Sequence, residues 1–325
     1  MPRRRLLSLS ACVFAASLCL PAVSARAQPP ALATIGMIGD VARELVGDCV
    51  PVEVLIGGGG DPHLYQPTAS DVRRMQDAGV ILYLGFGLEG QMGRVLDKLS
   101  SSRPVVAVGP AAVPETDLIA VSGDYAFDPH LWMDPGLWAR TVPVIAQALS
   151  DLAPDCAAQV ADRTGDYTAQ LLALDAWVRD SIALVPENRR VLVTAHDAFG
   201  YYARAYGLRQ IAIQGLSTQS EASVADIRDV AQAVVASGVP AVFVETTINP
   251  RTVQAMIEAV AALGGTVTVG GSLYSDAMGD EGTAGGTYIG MIHANTVAIV
   301  TALGGTPAPL PPALAPFAIR WGLAP

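Results

Sequence analysis

The chain has 325 residues, is 51% hydrophobic and carries 30 acidic against 20 basic side chains, for a formal net charge of −10. That length and apolar content supply cores for two lobes of ordinary domain size. The acidic excess, with no basic patch to offset it, repels phosphate backbones and anionic lipid, which excludes nucleic acid as a partner and makes a cation the natural ligand.

Residues 1–27 place Arg3, Arg4 and Arg5 before an apolar stretch and end in Ala25-Arg26-Ala27. This is the pattern of a secretory signal peptide with an Ala-x-Ala cleavage site, interrupted by Ser and Pro rather than built as a membrane span. The mature chain is expected to begin at Gln28. A rival is lipid attachment at Cys12 in Leu9-Ser10-Ala11-Cys12, although the apolar segment before it is only about half a normal one. Loss of the leader removes four arginines and no acid, so 16 basic residues face 30 acidic ones and the net charge becomes −14. Cys49 and Cys156 then remain in an oxidising compartment, where they form either a disulfide or two separate buried thiols. Their spacing, with no flanking histidine, does not suit a zinc-thiolate site.

From residue 32 onward short apolar runs alternate with amphipathic stretches. Runs at 32–38, 52–56, 80–84 and 105–108 read as strands with helices between them, the alternation of an α/β fold with parallel sheets. Gly57-Gly58-Gly59-Gly60 is a flexible turn, and without a following Gly-Lys-Ser/Thr it has no nucleotide role. It leads into Asp61-Pro62-His63-Leu64-Tyr65. Thr68 and Asp71 resemble a capping box that opens a helix carrying Val72 and Met75. The tripeptide then returns in Asp128-Pro129-His130-Leu131-Trp132. Asp134-Pro135 supplies an N-cap and a first-turn proline for a helix through Leu149.

Between residues 154 and 184 only Gly165 interrupts a helical pattern containing Leu171, Leu172, Leu174, Trp177, Val178 and Ile182. At about 1.5 Å per residue this helix spans a lobe and more, and it reads as the strut between two lobes. The second half repeats the alternation, with strands at 191–195, 211–213, 239–244 and 267–269 and helices near 198–206, 223–236, 250–263 and 287–302. The expected division is a leader at 1–27, a first lobe at 28–153, a linking helix at 154–186 and a second lobe at 187–325. The tail from residue 304 is rich in Pro and Ala and reads mostly as loop, pinned by Phe317 and Trp321.

Only four histidines occur, and two of them share one pentapeptide context. Proline fixes its own φ and biases the preceding Asp toward extended geometry, so each Asp-Pro-His holds its imidazole on a stiff loop. His196 ends an apolar run at the C-terminal edge of a parallel strand, where ligands bind in open α/β sheets. Three such histidines call for an oxygen ligand, and in the acidic loop 274–281 Asp276 is the best placed. Asp280 and Glu281 compete but suit solvent or capping better. The expected metal set is therefore His63, His130, His196 and Asp276, donors suited to zinc and several other transition metals. The imidazoles must be neutral to bind, so affinity is expected to fall below about pH 6.5. His293, inside a helical pattern, reads as a partly buried, satisfied structural residue. Asp61 and Asp128 read as loop-forming acceptors or as groups that orient the metal's ligands, and Glu221 and Glu245 as structural acids paired across the second lobe.

Gly60-Asp61-Pro62-His63 with Tyr65 and Pro67, the stretch from Asp128-Pro129-His130 to Asp134-Pro135, Thr194-Ala195-His196-Asp197-Ala198-Phe199-Gly200-Tyr201, and Ser275-Asp276-Ala277-Met278-Gly279 carry a resemblance over nearly the whole mature length. They resemble the zinc- and manganese-binding solute-binding proteins of bacterial ABC importers, the TroA-like family. Ser217-Thr218-Gln219-Ser220-Glu221 and Phe243-Val244-Glu245-Thr246 are similar to family segments as well. The resemblance implies two α/β lobes joined by one long helix. It also implies a cleft metal held by His63 and His130 from one lobe and His196 and Asp276 from the other. Zn²⁺ or Mn²⁺ would be the transported ligand, the periplasm the location, and an ABC permease in the inner membrane the partner of a monomeric binding protein. Zinc-dedicated members often carry a His-rich loop before the second Asp-Pro-His, and residues 115–127 contain no histidine. The metal therefore stays open between zinc, manganese and iron.

A periplasmic zinc hydrolase is the rival from another class. It needs an open coordination position and a general base, whereas Asp276 closes the fourth position and no His-Glu-x-x-His helix occurs. An adhesin would leave the histidine set unexplained.

Overall fold

The computed structural model describes residues 28–123 and 125–323. The expected leader at 1–27, with the Cys12 alternative, lies outside the described residues. In the first lobe β1 (Ala31–Ile35), β2 (Val52–Ile56), β3 (Val80–Tyr83) and β4 (Val105–Ala107) form one parallel sheet in the order β2-β1-β3-β4. Every residue of β1 is buried, as expected of a central parallel strand covered on both faces, which is why its sequence is an unbroken apolar run. In the second lobe β5 (Val191–His196) pairs in parallel with β6 (Arg209–Gln214), and β7 (Ala241–Glu245) with β8 (Thr268–Leu273). β5 runs beside β7, so the two pairs form one layer.

The linking helix runs over Ala157–Ala183, 27 residues or roughly 40 Å. Its buried Val160, Tyr167, Leu171, Leu174, Trp177 and Val178 fall on one side at three- and four-residue spacing. It packs on the helix Gly36–Val46 of the first lobe and on Tyr288–Ala302 of the second. The large core accordingly passes through both lobes, while a smaller one belongs to β5–β8. Cys49 and Cys156 are bridged, with Cα atoms 6.4 Å apart, fastening the first lobe to the start of the linking helix.

Buried hydrogen bonds join the lobes on one side of the cleft. Trp132 Nε1 donates to Ser275 O at 2.9 Å and Tyr288 Oη to Trp132 O at 2.7 Å. Asp40 Oδ2 accepts from Tyr288 N at 2.9 Å and from Tyr167 Oη at 3.1 Å.

Several boundaries differ from the expectations. The first strand stops at Ile35, and residues 36–38 open the following helix. A helix buried on both sides is as apolar as a strand, so hydrophobicity alone cannot separate them. The helix expected from Asp134 to Leu149 is two helices, Pro135–Trp138 and Val142–Leu152, with a 3₁₀ turn at Ala139–Thr141. Pro143 is the cause, since it has no N–H for the carbonyl of Ala139 and its ring crowds that turn. Residues 154–156 form a 3₁₀ turn ahead of the linking helix. The tail is loop over residues 305–311 but not throughout, since Pro312–Leu314 is a 3₁₀ turn and Ala315–Trp321 a helix. The capping box is present, with Thr68 Oγ1 accepting from Asp71 N and the Asp71 carboxylate from Thr68 N.

Candidate metal centre

Each histidine is aimed by a neighbour. Asp61 Oδ1 accepts from His63 N at 2.8 Å, and Asp128 Oδ1 accepts from His130 N at 2.9 Å, so both Asp-Pro-His loops close the same tight turn. They then diverge. Asp128 also takes the ring Nδ1 of His130, at 2.7 Å. His63 Nδ1 instead lies 3.1 Å from Tyr125 Oη. His196, the last residue of β5, is held by Glu245, the last residue of β7. Glu245 Oε1 accepts from His196 N at 2.8 Å, and Oε2 meets the ring Nδ1. With carboxylates on the Nδ1 atoms of His130 and His196, those nitrogens keep their protons, so once the second ring proton leaves each Nε2 offers a lone pair. Asp276 sits on the loop after β8. Asn295 clasps that loop, accepting from Tyr274 N at 2.9 Å and donating to Tyr274 O at 2.7 Å.

The four expected residues converge. One nitrogen or oxygen from each of His63, His130, His196 and Asp276 lies within 4.8 Å of all the others, and no side chain of the four is more than 2% exposed. Asp276 turns both oxygens inward. Oδ1 is 3.3 Å from His130 Nε2, and Oδ2 is 3.2 Å from His196 Nε2 and 3.7 Å from His63 Nε2. Yet His196 Nε2 and both Asp276 oxygens are buried without a hydrogen bond. Buried polar atoms are costly in that condition, and a divalent cation among them would relieve all three at once. Three imidazoles and a carboxylate are a donor set that zinc and its neighbours accept.

The charges favour the same occupant. Burial lowers the His63 pKa to about 4, keeping that imidazole neutral. Burial also opposes charge on His130, but Asp128 and Asp276 outweigh it and lift the pKa to about 9. His196, against burial, is raised well above the ordinary value by Glu245 and Asp276. Burial disfavours the Asp276 carboxylate, but His196 and His130 hold it well below the usual range. Protons on His130 and His196 thus balance the buried carboxylates, and a metal ion can take their place.

The remaining sequence candidates fall elsewhere. Glu281 is exposed and faces Arg43 at 3.8 Å. Asp280 is also exposed. His293 stacks on Trp177, ring centroids 5.0 Å apart, at the linking helix. The expected pairing of Glu221 with Glu245 is absent: Glu245 is buried against His196, whereas Glu221 is exposed at a cleft. Sequence reasoning missed Glu245 and Tyr125 as partners of the histidines. Glu245 had a usable signal, because it ends an apolar strand just as His196 does.

Comparison with known proteins follows the same lines. A family model described as "ZnuA: Zinc-uptake complex component A periplasmic" matches residues 32–302. Zinc-binding protein TroA of Treponema pallidum is 44% identical over 280 residues, covering 86% of this chain and 90% of that protein. Manganese-binding lipoprotein MntA of Bacillus subtilis is 40% identical, covering 86% and 91%. The solved structure of the periplasmic zinc-binding protein TroA from T. pallidum superposes with a TM-score of 0.83, covering 85% of this chain and 99% of that one at 44% identity.

Proposed function

The chain belongs to the ZnuA family of periplasmic zinc-uptake components, and we propose that His63, His130, His196 and Asp276 capture one divalent transition-metal ion in the cleft between the lobes. The family is one of binding proteins for ABC importers, not of enzymes. The observation that carries the ligand assignment is the convergence of three imidazoles on a carboxylate whose two buried oxygens have no hydrogen-bond partner. Zinc is expected to bind more tightly than manganese in vitro, because three imidazoles follow the Irving–Williams order and one carboxylate is not the oxygen-rich shell manganese favours. Tight zinc binding does not by itself name the metal imported in the cell, and relatives named for zinc and for manganese match about equally well.

The finer reading adds cleavage of the leader after Ala27, work as a monomer in the periplasm, and delivery of the ion to an ABC permease in the inner membrane. The lobes divide at 28–153 and 187–325 around the linking segment. Calorimetry of the metal-stripped protein and its four single Ala variants tests the assignment. Each variant is expected to lose most of its zinc affinity with the lobes still folded, and unchanged affinity in all four would sink it.

A further inference from the structure

Among the contacts that join the lobes around the metal centre, which include Tyr201 Oη donating to Asp128 O at 2.9 Å, two sets are unlike. On one side Trp132, Ser275 and Tyr288 are fully buried, and their hydrogen bonds cross the lobe boundary. Parting them would strand donors and acceptors away from water. On the other side residues 215–222, which lead from β6 toward the helix Val224–Ser237, reach across to the loop that bears His63. There Thr218 Oγ1 donates to Asp61 Oδ2 at 2.6 Å and Gln219 Nε2 donates to His63 O at 3.2 Å. Gln214, at the end of β6, supports the segment from below by donating to Thr218 O at 3.2 Å and Ser220 O at 2.6 Å. Gln219 is exposed. The segment also lines an open cleft of about 700 Å³ whose wall includes Tyr125, beside His63, and Asp197, next to His196.

We propose that Thr218 and Gln219 are positioning residues that latch the His63 loop across the lobes, and that undoing this latch, not parting the Trp132–Tyr288 side, admits and releases the metal. The proposal rests on the ligand assignment above. Asp61 is the coupling element, because Oδ1 fixes the backbone of His63 while Oδ2 receives the latch. Water can replace the bond from Gln219 as it breaks, which no water can do for the buried side. His63 is also the histidine whose ring has no carboxylate at Nδ1, so it is the ligand most readily swung away.

The test is zinc transfer from the loaded protein to a chelator, followed by stopped flow. Thr218→Val keeps the side-chain shape and removes the donor, and it should speed release about tenfold. Gln219→Ala should speed it less, and Thr218→Ser should restore the wild-type rate. Tyr288→Phe should lower thermal stability and leave the release rate unchanged. In the metal-free protein, hydrogen exchange at 215–222 should quicken in Thr218→Val while 130–134 stays protected, a readout independent of zinc. Wild-type release and exchange in Thr218→Val, or release in Tyr288→Phe as fast as in Thr218→Val, would overturn the latch. Failure of the wild-type protein to bind zinc would instead overturn the ligand assignment.

Discussion

Asp61 and Asp128 occupy the same place in the same tripeptide and close the same turn, yet their second contacts differ: one reaches the other lobe and the other steers its own imidazole. The division matters for affinity. Glu245 aims His196 as Asp128 aims His130, and Glu245→Gln is expected to weaken zinc binding by about 10- to 100-fold without unfolding the second lobe. Equal affinity in that variant, measured by competition with a chelator, would remove Glu245 from the account. The raised pKa of His130, about 9, also shifts the expected pH dependence. Zinc needs the neutral imidazole, so binding displaces a proton at any pH below about 9. Affinity should therefore fall roughly tenfold per pH unit per displaced proton through neutrality, not only below 6.5. Titrations between pH 8 and pH 6 with a flat dissociation constant would contradict this.

Asp40 gives a separate prediction that involves no metal. Burial is the largest influence on its carboxyl and lifts the pKa from 3.8 to about 6, despite the bond from Tyr288. A folded-state pKa above the unfolded one means the contribution to stability is full below pH 3.8 and is lost as pH rises through about 6. The ionised form then costs on the order of 2–3 kcal/mol at pH 7. Asp40→Asn should raise the melting temperature at pH 7.5 and change it little at pH 4. The opposite pattern would show that the charge on Asp40 is needed by Tyr288 and Tyr167.

At the scale of elements, the disulfide and the linking helix set the frame. The Cys49–Cys156 bridge closes a loop of 107 residues, and its removal by Cys49→Ser with Cys156→Ser should cost about 2–4 kcal/mol in denaturant unfolding. Two free thiols in the denatured, unreduced protein would contradict the bridge. Element type was legible wherever the sequence carried a local physical cause: the capping box at Thr68, the N-cap at Asp134, and the unbroken apolar runs of the parallel strands. Illegible were the points where two structures share one pattern, as at residues 36–38, or where a weak local signal was fixed by packing, as in the tail helix. Leu314 of that tail is buried in the large core and Phe317 packs against it, among residues far away in sequence.

For the whole molecule, the convergence of His63, His130, His196 and Asp276 could be read because histidines are few and these three sit at loops or a strand end. The pairing of Glu245 with His196 could not, since the two meet only when β5 and β7 lie side by side, even though both end apolar strands. The linking helix is packed along its length into a core shared by both lobes, so wide hinge motion has no flexible element to use. Solution scattering of metal-free and zinc-loaded protein should therefore give nearly the same radius of gyration, and a large contraction on loading would mean that the helix does not brace the lobes. No helix among the described residues is long and apolar enough to cross a membrane.

The most direct measurement is diffraction from crystals of the zinc-loaded protein at the zinc absorption edge. The account predicts one strong anomalous peak with the Nε2 atoms of His63, His130 and His196 and the carboxylate of Asp276 at about 2.0–2.2 Å. A peak in the open cleft beside Asp197 and Glu221 with none at the histidines would contradict it.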